Sequence, residues 1–462
     1  MRDTERPPDP RAVASFRALV HGDVILPDDP DYEAARVVWN GMIDRYPAMV
    51  VRPTDAEGVI SAVGFAREQD LVIAVRAGGH SVGGFSTCDG GMVIDLSRMR
   101  GATVDPERRE ARTNGGAHLR ELDEAAQAFE LACPVGVVGH TGVAGLTLGG
   151  GMGRLQRRYG FTIDNLLSVD LVTADGRLLY ASDEENADLF WGMRGAGPNF
   201  GIVTSFRFRV HPLGPAVTQG WVAHPIERAH DVAALYGELA TTVPDELWLS
   251  LGFGIVGADD PWPDLVGQPV VTLGVCHCGS EDAAERDLRP VRRNSPVADT
   301  IERRSYLAVQ SASDETMAWG KRFYMKGGYG NDLTPALVDT CVEQIRAAPG
   351  ECTIGFWAQG GAIGRVPADA MAFTGRDAGH WIGVEAFWED PAGDEAHVGW
   401  GRTAWDALTP YTTAGHYVND VVETGESVVR AIYGDAKYER LVGLKRTYDP
   451  DNVFRLNQNV QP

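Results

Sequence analysis

The sequence predicts an α+β protein built from two or three domains. Its 462 residues exceed what one hydrophobic core normally contains. Up to residue 213, strand and helix patterns surround two glycine-rich loops. Beyond it, strand-like runs are separated by helical stretches, which is typical of an antiparallel sheet with helices covering one face.

Composition limits the classes of partner. Hydrophobic residues make up 44% of the chain and charged residues 23%, the balance of a soluble globular protein. Lys plus Arg number 42 against 64 Asp plus Glu, a formal charge of −22. Nucleic acids and anionic membranes need a basic footprint, so we expect neither as a partner.

The chain carries no sign of export, membrane insertion or metal binding. Met1–Pro8 is charged and lacks the apolar core of a secretory signal, and no segment approaches the roughly 18 apolar residues of a membrane span. Six cysteines in a chain this long do not indicate a disulfide framework. Cys276 and Cys278 form the one cluster, with no second pair nearby, so we expect no metal site and a cytoplasmic protein.

The first elements lead into a glycine-rich loop. Thr54 and Glu57 form a capping box that predicts a helix after Pro53, and residues 71–75 predict a short buried strand. The loop at 76–84 follows directly and reads Arg-Ala-Gly-Gly-His-Ser-Val-Gly-Gly.

A second glycine-rich loop spans residues 142–153. Glycines this dense allow bare backbone N–H groups to approach an anionic ligand, so the two loops predict a dinucleotide clamp with His80 inside it. No helix follows the first loop. More turn and a strand at 92–96 come instead, so a Rossmann fingerprint is absent.

The later elements follow in order. Residues 166–173 and 177–181 predict a β-hairpin, 183–191 a short helix followed by a glycine turn at 194–197, and 201–210 a strand that ends at a boundary near 213. The central part predicts strands at 248–255, 269–278, 353–358 and 381–388 and a helix at 335–348. The last fifty residues predict a helix at 438–445 and a turn at 448–452.

Four ordered motifs resemble the berberine-bridge-enzyme-like group of the vanillyl-alcohol-oxidase/PCMH superfamily of FAD-linked oxidases. They are 76–81, 141–151, the pair 158–160 and 164–167, and the ending 448–459. The resemblance covers almost the whole chain. It implies a PCMH-type FAD-binding domain of two α+β subdomains (1–213), a substrate domain on an antiparallel sheet (214–410), and a C-terminal module (411–462) that returns to the FAD side.

The resemblance also implies the cofactor residues. By match to the family's attachment loop, His80 carries the flavin through its 8α-methyl carbon, where an electron-withdrawing substituent makes the flavin easier to reduce. The alternative is a loop histidine that only hydrogen-bonds backbone. The expected FAD-binding residues are Arg76, Ala77, Gly78, Gly79, His80, Ser81, Gly83, Gly139, Thr141, Gly142, Gly145, Leu146, Gly149, Gly150, Gly151, Gly153, Ile202, Val203, Asn457 and Asn459.

One position departs from the best-known relatives. Members with a second covalent bond use a cysteine three positions before Thr141, and here that position is Val138. Cys133 stands five residues earlier, beside Pro134, and is expected to be a small buried residue. We therefore expect no cysteinyl linkage and a singly attached flavin, as in the hydroxynicotine-oxidase-like and some polyketide-oxidising branches, which makes large oligosaccharides less expected as substrates.

The family match points to catalytic and pocket residues. Tyr417 matches a tyrosine that faces the flavin and is the expected base, and Asn419 is expected on the same strand face to orient substrate. The alternative for Tyr417 is core packing. Thr141 and Leu146 match positions where oxygen meets the flavin. Pocket candidates from the central sheet, each equally compatible with sheet packing, are Trp248, Tyr324, Trp357, Gln359 and Glu385.

The predicted function is an FAD-dependent oxidase. It would take a hydride from a C–H bond bearing OH or NH in a small organic molecule (an alcohol, alkaloid, polyketide or sugar) and pass the electrons to molecular oxygen, giving peroxide. The alternatives are a flavin dehydrogenase with another acceptor, an oxygenase, and a non-enzymatic flavin-binding protein. Neither the substrate nor the oligomeric state follows from the sequence.

Overall fold

A computed structural model describes residues 8–462. Fifteen α-helices occur in this part of the chain: α1 Pro10–Leu19, α2 Tyr32–Arg36, α3 Ala56–Glu68, α4 Leu119–Gln127, α5 Val143–Leu148, α6 Gln156–Tyr159, α7 Ala187–Ala196, α8 Ala229–Thr242, α9 Glu281–Arg293, α10 Tyr306–Ser311, α11 Pro335–Arg346, α12 Ala362–Arg365, α13 Asp394–Leu408, α14 Glu426–Tyr433 and α15 Asp435–Tyr448.

The strands of the same region fall into four sheets. They are β1 Gly22–Ile25, β2 Met49–Pro53, β3 Ile73–Arg76, β4 Met92–Asp95, β5 Ala102–Asp105, β6 Glu110–Asn114, β7 Leu131–Ala132, β8 Leu166–Val172, β9 Leu178–Ser182, β10 Ile202–Arg209, β11 His211–Pro212, β12 Ala216–Pro225, β13 Leu247–Ile255, β14 Pro269–His277, β15 Ala298–Asp299, β16 Glu302–Ser305, β17 Arg322–Gly330, β18 Cys352–Ala358 and β19 His380–Trp388.

The part before residue 213 holds two α+β layers. A four-stranded sheet in the order β1-β2-β4-β3 packs against α1 and α3. A five-stranded sheet in the order β5-β6-β10-β8-β9 packs against α4 and α7. The first glycine-rich loop leaves β3 at the edge of the four-stranded sheet, which positions it beside the second layer.

The central part is one antiparallel sheet with helices on one face. Its main path runs β15-β12-β14-β13-β18-β19-β17, and β16 pairs with β12. Side chains of α8, α9, α11 and α13 pack on one face of this sheet in a single apolar cluster. Because side chains alternate along a strand, the other face is free to turn toward the glycine-rich loops. The predicted α+β fold class is confirmed.

The C-terminal helices return to the first part of the chain. Side chains of α14 and α15 share an apolar cluster with α4, α7 and β10. Lys445, which is fully buried, ties the end of α15 to this layer. Its Nζ donates to Asp449 Oδ2 at 2.7 Å and to the carbonyl oxygens of Asn199 and Phe454, both at 2.9 Å.

Three local predictions are wrong. The N-cap of α3 is Asp55 rather than Thr54, because the Asp55 carboxylate accepts from Gly58 N at 2.9 Å. The helix predicted at 183–191 starts at Ala187, and the predicted glycine turn is a kink inside α7, with non-helical backbone at Arg194 and Gly195. The segment around Tyr417 is not a strand but a short 3-10 helix, Val418–Asp420.

The structure of residues 8–462 bears on two of the expectations drawn from the sequence. No helix in this range has the length and apolar character needed to cross a membrane. Within the same range, no group of three or more His, Cys, Asp or Glu side chains is placed to hold a metal ion. The expectation about a signal sequence concerns residues that lie almost entirely outside the described range.

Candidate active site

A cavity of about 590 Å³ separates the two glycine-rich loops from the bare face of the central sheet. Backbone and side chains of both loops form one side. Strands β13, β14, β18 and β19 form the other, and the segment around Tyr417 closes one end. All three predicted parts of the chain therefore contribute to a single site.

The two loops touch through paired glycines. A Cβ added to Gly78 would lie 2.1 Å from Gly142 N, and one added to Gly142 would lie 2.4 Å from Gly78 N. Any side chain at either position would push the loops apart. The absence of side chains at both positions therefore allows the two loops to come into the direct contact that forms this wall of the cavity.

Arg76 stands behind the first loop instead of in the cavity. Its guanidinium donates to Asp95 Oδ2 at 2.8 Å and to Val37 O at 3.0 Å. Asp95 is also held by Arg52 at 2.9 Å. Coulombic attraction and hydrogen bonds from these two arginines outweigh burial and keep the pKa of Asp95 below its usual value. Arg76 thus fixes the start of the loop against its own sheet.

His80 extends from the first loop into the cavity wall. Its Nε2 lies 2.7 Å from Nδ1 of His140, and its ring stacks on Trp39 at a centroid distance of 4.7 Å. Burial, together with His140, lowers the pKa of His80 to about 3. The imidazole is therefore neutral at physiological pH, and its Nδ1 retains a lone pair if Nε2 carries the proton.

Val138 and Cys133 occupy different environments. Val138 lines the cavity, whereas Cys133 is fully buried in the apolar cluster under α4. Burial raises the pKa of the Cys133 thiol well above its usual value. A buried thiol of this kind is a weak nucleophile.

Tyr417 and Asn419 are joined by a direct hydrogen bond. Asn419 Nδ2 donates to Tyr417 Oη at 2.9 Å, and Gly151 N donates to the same oxygen at 3.0 Å. Asn419 also packs closely against the second glycine-rich loop, since a Cβ added to Gly149 would lie 2.1 Å from Asn419 Oδ1. Burial, followed by the charge of Asp420, nevertheless raises the pKa of Tyr417 to about 12.

Two carboxyl groups lie at the same end of the cavity. Asp420 Oδ2 accepts from Trp381 Nε1 at 2.7 Å, and burial raises the pKa of Asp420 to about 8. Glu385 lines the cavity from β19, and burial alone raises its pKa to about 7. Near neutrality Glu385 can therefore both hold and release a proton.

The structure brings most of the sequence-predicted residues to this one cavity. Those that line it are Ala77, Gly78, Gly79, His80, Ser81, Gly83, Thr141, Gly142, Gly145, Leu146, Gly149, Ile202, Val203, Asn457, Tyr417 and Asn419. Those that lie behind its wall are Arg76, Gly139, Gly150, Gly151, Gly153 and Asn459. Of the pocket candidates, Trp248, Trp357 and Glu385 line the cavity, whereas Tyr324 packs among the helices and Gln359 stands outside it.

The polar and apolar groups that line the cavity fit FAD. The Asn457 Oδ1 and Gln458 Oε1 atoms are buried without hydrogen-bond partners, and both residues line the cavity. The glycine-rich wall offers backbone at close range, which suits a pyrophosphate. Apolar side chains of Ile73, Val75 and Ile202 line the region near β3, which suits a flat ring system.

Sequence reasoning did not single out His140, Trp381 or Asp420 as site residues. His140 directly precedes Thr141, and Asp420 directly follows Asn419, so the only signal in the sequence was their position next to a predicted site residue. Trp381 began a predicted strand, and its contact with Asp420 joins residues 39 positions apart. A contact between residues this far apart leaves no periodic pattern in the sequence.

Comparisons with known proteins agree on one family. A family model described as "FAD binding domain" matches residues 47–182, and one described as "Berberine and berberine like" matches residues 416–461. The (R)-6-hydroxynicotine oxidase of Paenarthrobacter nicotinovorans is 33% identical, with 96% of this chain and 97% of that protein aligned.

Solved structures give the same result. The crystal structure of 6-hydroxy-D-nicotine oxidase from Arthrobacter nicotinovorans superposes with a TM-score of 0.86 at 30% identity, covering 96% of this chain and 98% of that one. A xylooligosaccharide oxidase from Myceliophthora thermophila in complex with xylobiose shares the fold, with a TM-score of 0.83 at 24% identity and coverage of 98% and 99%.

Proposed function

The chain belongs to the berberine-bridge-like family of FAD-linked oxidoreductases, and on that premise we propose that it is an oxidase with a flavin attached through His80 alone. It would oxidise a C–H bond bearing OH or NH in a small organic molecule and reduce molecular oxygen to peroxide. The observation that carries the proposal is the single cavity that holds His80, Tyr417 and Asn419 together. The bound FAD would supply the hydride acceptor.

Attachment through His80 is supported by its hydrogen bonding. With Nε2 directed at His140, Nδ1 is the nitrogen left for the new bond. The linkage would join this nitrogen to the 8α carbon, with the loss of one C–H hydrogen from the flavin and one N–H hydrogen from the imidazole. Molecular oxygen would accept these two hydrogens as hydrogen peroxide. The side chain at 138 is an unreactive valine, which supports a single linkage.

Proton removal from the substrate is assigned to Tyr417, with Asn419 holding its phenolic oxygen. Two donors point at that oxygen, so they would stabilise the phenolate form that accepts the substrate proton. Glu385 is the second candidate base, because its carboxyl lines the cavity and its pKa near 7 suits general base catalysis at neutrality.

The proposal also includes a cell compartment and a place where oxygen reaches the flavin. The six cysteines are unpaired and buried, which supports a reducing compartment such as the cytoplasm. Oxygen would reach the flavin beside Thr141 and Leu146, which both line the cavity.

The test uses purified protein and two measurements. The visible spectrum of acid-precipitated protein should show flavin retained by the polypeptide. Anaerobic mixing with a reducing substrate, followed by exposure to air, should bleach and restore the flavin and release one peroxide per turnover. Flavin that washes out with acid contradicts the linkage. Reoxidation that needs an added acceptor favours the dehydrogenase alternative, and labelled oxygen in the product favours the oxygenase.

A further inference from the structure

One end of the cavity carries three polar groups without hydrogen-bond partners. They are Arg154 Nε, Trp248 Nε1 and Ser250 Oγ. Their residues line the cavity and are only 6%, 1% and 2% exposed. Buried polar atoms are normally paired, so three orphaned groups around one space indicate a missing partner. Two of the three can only donate, and the hydroxyl can also donate.

The three groups belong to one neighbourhood. Trp248 and Ser250 are two residues apart on β13 and therefore share a sheet face. Arg154 approaches that face from the second glycine-rich loop, and its Nη1 donates to Val309 O at 3.3 Å. Val309 packs with Trp248 in one apolar cluster.

Within residues 8–462, the guanidinium of Arg154 forms no salt bridge with an aspartate or glutamate. None of the groups found to affect its pKa is an aspartate or glutamate, and burial is the largest influence and lowers that pKa. A guanidinium nevertheless stays charged in proteins. An unpaired buried cation is costly, so a ligand that brings an anion would be bound strongly.

The space beside these donors is bordered by aromatic rings and by strand positions without side chains. Four tryptophans from strands β12, β13, β18 and β19 form a row of edge-to-face contacts with centroid distances of 6.2, 5.0 and 5.5 Å; in order they are Trp221, Trp248, Trp357 and Trp381. Next to this row, Gly252 and Gly355 are paired across β13 and β18. A Cβ at Gly355 would meet nothing within 4 Å. An aromatic wall beside a floor without side chains suits a planar ring.

We propose that the substrate is a planar aromatic or conjugated molecule with an acidic oxygen, which Arg154, Trp248 and Ser250 bind far from the reacting carbon. The carboxylate, phenolate and enolate forms share this chemistry. The tryptophan row sets the orientation, because Trp381 at its other end donates to Asp420, beside Tyr417. The acidic oxygen would lie at the Trp248 end and the oxidised carbon at the Trp381 end. This proposal rests on the proposed oxidase function.

The test compares the binding of a charged probe with that of its neutral analogue. Naphthalene-2-carboxylate and naphthalene-2-carboxamide have the same ring, and their binding to the flavin-containing protein can be measured by calorimetry at pH 7.5. We expect the carboxylate to bind at least ~10-fold more tightly than the amide, given the strength of charge-assisted hydrogen bonds. Arg154→Leu should weaken carboxylate binding by roughly 30-fold or more, the effect of truncating one partner of a buried charge pair.

Milder variants guard against misfolding. Trp248→Phe and Ser250→Ala each remove one donor and should weaken carboxylate binding by about 3-fold to 10-fold, the scale of one hydrogen bond. Arg158→Leu is the matched control, because Arg158 donates to Cys278 O at 3.0 Å and does not line the cavity. Its binding of both probes should match that of the parent.

Equal or absent binding of the two probes by the parent would overturn the proposal. So would an unchanged carboxylate preference in Trp248→Phe and Ser250→Ala. A shifted flavin spectrum in Arg154→Leu with the preference intact would assign the cation to the flavin instead. Calorimetry needs no turnover, so a persistent preference in a protein that releases no peroxide would contradict only the proposed oxidase function.

Discussion

His80 and His140 form a directed pair. His140 Nε2 lies 3.3 Å from the carbonyl oxygen of Asp314, which can only accept, so this nitrogen carries the proton. His140 Nδ1 is then an acceptor, and His80 Nε2, 2.7 Å away, is the donor. Asp314 is itself anchored, since its carboxylate accepts from Gly139 N and from Arg120, both at 2.6 Å. In the proposed flavin attachment, His140 Nδ1 would therefore be the acceptor of the proton that His80 Nε2 loses.

Replacing His80 tests the linkage. His80→Ala should abolish acid-stable flavin, while extractable FAD stays bound because the glycine-rich wall and Asn457 are unchanged. Denaturation followed by absorbance of pellet and supernatant gives the answer. Acid-stable flavin in His80→Ala would place the bond on another residue.

Replacing His140 tests the proton path. His140→Phe keeps a flat ring but removes the acceptor for His80 Nε2, so attachment of added FAD to apoprotein should slow by about 10²-fold or more, the low end of general base effects. Mass spectrometry of the polypeptide over time measures the rate. The control is His230→Phe, an exposed histidine paired with Asp339. Equal attachment rates in the two variants would show that His140 takes no part in flavin attachment.

The position at 138 tests the single linkage. Cys133→Ser should leave flavin attachment intact, because Cys133 is buried away from the cavity. Val138→Cys places a thiol on the cavity wall and should add a second, cysteinyl bond. Peptide mapping distinguishes the two. A flavin peptide that contains Cys133 would show that the loop has been aligned wrongly.

The regular elements were more predictable than the site. The strand expected at 353–358 is β18, Cys352–Ala358, where buried and half-buried side chains alternate. The hairpin expected at 166–181 is β8 and β9, which the turn residues Ala174, Asp175 and Gly176 signal in the sequence. Tyr417 and Asn419 were placed on a strand face from a spacing of two residues. Their segment is a 3-10 turn, and their contact comes from the bond between Asn419 Nδ2 and Tyr417 Oη instead.

Site residues outside the motifs depend on contacts between distant parts of the chain. Arg154 meets β13 and α10, which lie far along the sequence. In the sequence it resembles its neighbours Arg157 and Arg158, whose guanidinium groups donate to carbonyl oxygens and do not line the cavity. Only the tertiary structure shows which arginine of the three faces the cavity.

Asp123 offers a stability test that is independent of the cofactor. It is buried on α4, accepts from Gln310 Nε2 at 3.2 Å, and burial raises its pKa to about 8. A carboxyl whose folded pKa exceeds its unfolded value of about 3.9 stabilises the fold at low pH, and this contribution is lost as pH rises to about 8. Asp123→Asn keeps an acceptor oxygen for Gln310 Nε2 but cannot ionise. Its free energy of unfolding should therefore not show this loss as the pH rises.

Urea unfolding at pH 6 and pH 9 measures the Asp123 effect. The parent should lose more stability than Asp123→Asn over this interval, by on the order of a few kcal/mol, since each pKa unit corresponds to about 1.36 kcal/mol. Other groups also titrate in this range, so the difference between the two proteins is the relevant quantity. Parallel losses in both would mean that Asp123 stays ionised in the folded protein.

The pH dependence of flavin reduction separates the two candidate bases. If Glu385 were the base, the rate would rise with pH and level off above its pKa of about 7, and Glu385→Gln would abolish the rise. If Tyr417 is the base, its pKa of about 12 means that the rate keeps rising through pH 9 without a plateau. We expect the second profile, measured by anaerobic stopped flow, and expect Glu385→Gln to retain it.

Removal of the Tyr417 hydroxyl is the most direct test of its role as base. Tyr417→Phe should slow anaerobic flavin reduction by roughly 10²–10⁴-fold, the usual contribution of a general base. Substrate binding should change little, because the ring and its packing against Phe373 remain. Reoxidation by oxygen should also be nearly unaffected, since the proposal places that step beside Thr141 and Leu146. Asn419→Ala removes one of the two donors to the hydroxyl and should give a smaller loss in the same direction. A Tyr417→Phe variant that reduces its flavin as fast as the parent would make Tyr417 a packing residue and leave Glu385 as the base.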